Sequence, residues 1–104
     1  MAFRGQVWEV DFPFGQHPAL ILSVNPLNVV LGHVVVVPIT GTQGPAATHV
    51  ALTADAGLTG YPESYADVTT LQPVDRFSLL QQRGLLAFSE LRRIEDVLRI
   101  YLGL

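Results

Sequence analysis

Four consecutive valines, Val34-Val35-Val36-Val37, running on into Pro38-Ile39-Thr40, constrain this chain more than any other feature. β-Branched side chains are stiff at χ1 and suit a pleated, buried surface better than a helix. A strand over 34–40 is therefore expected, in a chain that is mostly β. Pro38 has no amide hydrogen to give a neighbour, which predicts a sheet edge or a bulge at that point.

The rest of the chain supplies partners for such a strand. Val7, Glu9 and Asp11 alternate with Trp8, Val10 and Phe12, the period-two pattern of a first strand. Phe12-Pro13-Phe14-Gly15 ends it, and the near-continuous apolar run from Pro18 to Val24 reads as a second strand buried on both faces. Asn25-Pro26 breaks that strand. Gly41 to Pro45 reads as a loop, Thr48 to Leu52 as a fourth strand, Asp55 to Pro62 as a second loop, and Tyr65 to Leu71 as a fifth strand. Asp75 is placed to cap one helical turn through Leu80. From Ser89 the period changes to about 3.6: Leu91, Ile94, Leu98 and Tyr101 recur at three and four, widened by Val97 and Leu102. Ser89 is the expected N-cap, Glu95 and Arg99 an expected i,i+4 pair, and Gly103 the expected exit. A mainly β chain with one C-terminal helix suggests an SH3-like or related small β-barrel, with 1–104 as a single domain.

Composition narrows the function. Charged residues are 14% and hydrophobic residues 49%, against a usual charged share of roughly 25%. A domain this small cannot hide so much apolar surface in its own core, which predicts a second subunit covering part of it. Cysteine is absent, excluding disulfides and thiol chemistry and fitting a reducing, cytoplasmic setting. No signal peptide or membrane-length apolar run is expected. The formal charge of −3 and the absence of lysine exclude a broadly basic nucleic-acid binder, so any RNA site must be local. The three histidines lack metal-site spacing, and neither a metal nor another cofactor is expected.

Taken in order, Arg4-Gly5-Gln6-Val7-Trp8, Val10-Asp11-Phe12-Pro13-Phe14, Pro18-Ala19-Leu20-Ile21-Leu22-Ser23 and Val37-Pro38-Ile39-Thr40 resemble the N-terminal half of MazF/PemK (Kid) toxins. Thr48-His49-Val50, Val74-Asp75-Arg76 and the closing helix to Leu104 resemble the family's later motifs. The resemblance spans nearly the whole chain. It implies a small barrel of the CcdB/Kid/MazF type and a homodimer with an RNA groove across it. It also implies metal-independent cleavage of single-stranded RNA and a cognate antitoxin peptide that fills the groove. In the family an arginine before proline and the threonine of the "PIT" motif act on the phosphate.

Here the arginine position holds His17, before Pro18, and the connection leading to it is short, with only Gly15-Gln16 after Phe14. A later segment that often carries a cation reads Thr70-Leu71-Gln72-Pro73. By the resemblance, His17 and Thr40 are the candidate catalytic pair, with Gln16, Thr48, His49, Gln72 and Arg76 as candidate RNA contacts. Arginine clamps phosphate in bidentate fashion, whereas histidine titrates near neutrality and can act as acid or base. Two alternatives stay open: a catalytically weakened relative that binds antitoxin or RNA, and a CcdB-like poison of DNA gyrase. The second is disfavoured because the chain ends Tyr101-Leu102-Gly103-Leu104, without the tryptophan those toxins use.

Overall fold

The computed structural model describes residues 2–53 and 63–104; the loop expected over Asp55 to Pro62 lies outside them. Among the described residues, seven strands and two helices follow in order: β1 (Gln6–Phe12), β2 (Gly15–Ile21), α1 (Asn25–Leu31), β3 (His33–Thr40), β4 (His49–Leu52), β5 (Ser64–Asp67), β6 (Gln72–Asp75), β7 (Leu79–Leu85) and α2 (Phe88–Leu102). Single 3-10 turns at Val68–Thr70 and Arg76–Ser78 flank β6.

The strand path is β4-β5-β3-β2-β1-β7, with β6 also paired to β3. Five of these strands, β7-β1-β2-β3-β6, curl round one apolar cluster: Val10 and Phe12 from β1, Ala19 and Ile21 from β2, Val34 and Val36 from β3, with Val74 of β6 and Leu79 of β7 packed against it. The two end strands contribute to one core and are joined by the Arg76–Ser78 turn, although no ladder between them occurs among the described residues. The fold is mainly antiparallel β with a C-terminal helix, as expected, and its sheet is curled round this cluster without closing into a continuous barrel among the described residues.

A second core lies on the other side of β3. Val7, Leu20, Val37, Ile39, Val50, Ala66 and Val68 meet Ile94 and Leu98 of α2. Successive residues of β3 thus serve different cores, as side-chain alternation requires. Pro38 is neither at a sheet edge nor in a bulge. On the side of β3 away from β2, β6 pairs through Val36 and β5 takes over at Ile39. Pro38 occupies the changeover between the two ladders.

Other expectations need correction. β2 begins at Gly15 rather than Pro18 and ends at Ile21. Asn25-Pro26 does more than break a strand: it opens α1, because a proline in the first turn gives up an amide that had no helical partner. The strand expected over Tyr65 to Leu71 is extended only as far as Asp67, where β5 ends; the rest of it is the Val68–Thr70 3-10 turn, and β6 is a separate strand that follows. Asp75 does cap a turn, its Oδ1 accepting from the Phe77 amide at 2.8 Å, but the turn ends at Ser78 and β7 follows. α2 begins at Phe88 without a side-chain cap, so Ser89 is not the N-cap. Glu95 pairs with Arg4 at 2.6 Å and Arg99 with Asp96 at 3.0 Å, in place of an Glu95–Arg99 pair. Gly103 ends the helix as expected, at φ +72°.

Candidate active site

A two-residue turn, Pro13-Phe14, joins β1 to β2, and pairing resumes at once with Phe12 opposite Gly15. Gly15 adopts φ +127°, a conformation reserved in practice for glycine. The short connection has a direct effect on His17: it is half-buried within a strand, opposite Val10, rather than exposed at a loop junction. Cross-strand partners share a face, so His17 points the same way as Val10, toward the inner face of the curled sheet. Its ring lies 5.3 Å from that of Phe14, which stacks at 4.8 Å on Phe12. The imidazole is therefore the last member of an aromatic row.

Thr40 closes β3 on the same face, by parity with Val34 and Val36. The β2–β3 ladder ends at Ala19↔Pro38. Beyond that pair His17 and Thr40 are not in register contact: from Ile39 on, β3 pairs with β5. The Thr40 hydroxyl accepts from the Thr42 amide at 3.1 Å, which uses a lone pair and leaves its proton to donate.

On its other side β3 pairs with β5, and Thr40 stands directly opposite Tyr65. Tyr65 is buried, and its phenol donates to Glu63 Oε2 at 2.7 Å. That hydrogen bond, then burial, then the Glu63 charge all raise the phenol above its usual pKa, so Tyr65 holds its proton at neutral pH. Neither Tyr65 nor Glu63 stands out in the sequence, because their proximity to Thr40 depends on a register between strands far apart in the chain.

Thr48 and His49 sit one step away. The Thr48 hydroxyl and His49 Nδ1 are 2.8 Å apart, and His49 Nε2 is 3.7 Å from Asp67 Oδ2. His49 pairs with Asp67 across β4 and β5. Gly44 of the preceding loop lies flat on the imidazole, so that a Cβ there would approach to 2.5 Å. His49 therefore fastens the 41–48 loop to the sheet, a structural duty the sequence reading did not anticipate.

The remaining candidates are spread out. Gln16 is exposed and, opposite Asp11, falls on the face away from His17. Gln72 lies beside Val36, with its amide donating to the Thr70 carbonyl. Arg76 donates its amide to the carbonyl of Gly32, before the start of β3, whereas Thr40 ends that strand. At about 3.3 Å per residue, the length of β3 puts more than 20 Å between them. Arg76 instead stacks on Phe77 and lines a 340 Å³ cavity with Trp8, Val29 and Leu79.

Cations are scarce around Thr40. No Asp, Glu, Lys or Arg occurs between Asp11 and Asp55. Arg4 binds Glu95 and the Leu22 carbonyl, Arg83 faces Glu9, Arg99 faces Asp96, Arg93 donates to the Ala51 carbonyl, and Arg92 lies over Phe88. Imidazole and hydroxyl groups are what this chain brings to the candidate site. Among the described residues no cluster of His, Cys, Asp or Glu is arranged to hold a metal, and no helix is long and apolar enough to cross a membrane.

Comparison with known proteins adds an independent line. A family model described as PemK-like, MazF-like toxin of type II toxin-antitoxin system matches residues 3–102. Endoribonuclease MazF1 of Mycobacterium bovis and Endoribonuclease MazF4 of Mycobacterium tuberculosis are each 31% identical over 97% of this chain and 92% of their own. A mycobacterial endoribonuclease solved in complex with its cognate antitoxin superposes with a TM-score of 0.91 at 28% identity, covering 100% of this chain and 97% of the other. The MazF–MazE structure from Deinococcus radiodurans, at 24% identity over 99% of this chain and 96% of that one, shares the fold with a TM-score of 0.82.

Proposed function

The chain belongs to the PemK-like, MazF-like toxins of type II toxin–antitoxin systems, and from that membership we propose that it is an endoribonuclease cutting single-stranded RNA without a metal, active as a cytoplasmic homodimer and silenced by a cognate antitoxin peptide. What supports the site assignment is side-chain parity: His17 shares a face with Val10 of β1 and with Ala19 and Ile21 of β2, and Thr40 shares that of Val34 and Val36 of β3, beyond the point where the β2–β3 ladder ends at Ala19 and Pro38. The relatives named as endoribonucleases and the antitoxin-bound structural neighbour support the activity and the partner.

In this reading the 2′-hydroxyl attacks the adjacent phosphorus and the 5′-oxygen leaves, giving a 2′,3′-cyclic phosphate. His17 protonates the leaving oxygen, and the Thr40 hydroxyl donates to a non-bridging phosphate oxygen as charge builds there. Arg76, Gln16, Gln72, Thr48 and His49 are outer RNA contacts. Arg76 serves a nucleotide well away from the cut, and His49 acts by holding the loop after Thr40 in place.

The test is incubation of purified protein with a long RNA in EDTA, followed by mapping of the ends. Discrete cuts bearing cyclic phosphate are expected, with a loss of about 10²–10³-fold for His17→Ala. Intact RNA at high protein concentration would overturn the nuclease reading. The absence of the family arginine favours one competitor, a weakened relative that binds without efficient cleavage. That reading expects His17→Arg to raise cleavage and His17→Ala to change little.

A further inference from the structure

A 2′-hydroxyl attack needs two proton-handling groups, a base for the nucleophile and an acid for the leaving oxygen. His17 supplies one, Thr40 is no base at neutral pH, and the family arginine that could help with charge is missing here. The ladder of β3 and β5 brings another candidate to the same place. Tyr65 stands directly opposite Thr40. Its phenol donates to one oxygen of the exposed Glu63 carboxylate at 2.7 Å. Glu63 is two residues before Tyr65, so its side chain is tied down beside the strand end that carries Thr40.

Resting on the nuclease reading above, we propose that Glu63 is the general base of this site and that Tyr65 is its positioning residue. The Glu63 carboxylate takes the proton of the 2′-hydroxyl as its oxygen bonds to phosphorus. The P–O5′ bond breaks, and the departing oxygen takes a proton from the His17 imidazolium. One proton is gained at Glu63 and one is lost at His17, so the enzyme returns to its starting state when the two exchange protons with water. The Tyr65 phenol fixes where the carboxylate sits, while the bulk of the ring forms the wall beside Thr40. Position 63 thereby supplies a function that the residue before Pro18 would otherwise have to perform twice in one turnover.

The experiment compares an ordinary RNA with one whose scissile 5′-oxygen is replaced by sulfur, a leaving group that departs without protonation. Wild type, Glu63→Gln, Glu63→Asp, Tyr65→Phe and His17→Ala are assayed on both, with thermal unfolding as a check on folding. Glu63→Gln is expected to lower kcat by about 10²-fold or more on both substrates with KM unchanged. Glu63→Asp should recover part of that loss, and Tyr65→Phe should show a smaller fall in kcat. The loss in His17→Ala should be rescued by sulfur. A folded Glu63→Gln variant with wild-type kcat would overturn the proposal, as would rescue of that variant by sulfur, which would make Glu63 the acid. If wild type cuts neither RNA, the nuclease reading itself fails and this inference with it.

Discussion

At the scale of single residues, the proposed site combines groups that sequence motifs singled out with others they could not reveal. His17 and Thr40 were legible through the resemblance alone, since nothing in their spacing shows that strands β2 and β3 run side by side. Tyr65 and Glu63 were not legible, because their relation to Thr40 is a matter of register across β3 and β5. Arg4 has a structural role that its place near the N-terminus does not announce: its Nε donates to the Leu22 carbonyl at 2.7 Å and its NH2 group reaches Glu95. Thr40→Val tests the donor role of the hydroxyl with the strand left intact, since valine keeps the branched shape. Loss of one hydrogen bond to a charged oxygen is worth about 1.5–3 kcal/mol. Single-turnover cleavage should therefore slow roughly tenfold to a hundredfold, and an unchanged rate would remove Thr40 from the chemistry.

At the scale of elements, strong periodicity was readable and its absence was not. The valine strand, the first strand and the terminal helix declare themselves by alternation or by a stripe. β7, Leu-Leu-Gln-Gln-Arg-Gly-Leu, is mostly exposed and pairs with β1 through two irregularities, so no buried face imposes a pattern on it. α1 is too short for its period to register. The start of α2 also hides a long-range contact: Glu90 is 3% exposed, and its carboxylate accepts from the Thr53 amide at 2.8 Å and from its hydroxyl at 3.1 Å. This anchors the helix to the end of β4. Glu90→Ala would leave two donors without an acceptor, and urea unfolding should show a loss of about 2 kcal/mol. A change within measurement error would mean that water replaces the carboxylate at no cost.

At the scale of the whole molecule, the shortage of charge becomes an apolar exterior. Leu27, Val29, Val30 and Leu31 of α1 and Phe77 beside it are all more than half exposed, although α1 contains no charged residue. Such surface in a small chain is expected to be covered by a partner. Sedimentation of the purified protein at micromolar concentration should give twice the 11.3 kDa chain mass, and a strictly monomeric species would exclude the homodimer. Composition made that need visible, while the division of the interior into two cores was beyond its reach, since both draw on the same valine run. The division has a further meaning for how such a chain can change. β3 is a party wall: Val34 and Val36 furnish one room, Val37 and Ile39 the other, and a replacement at any of these positions disturbs one chamber while its neighbours in the strand carry the strain to the next.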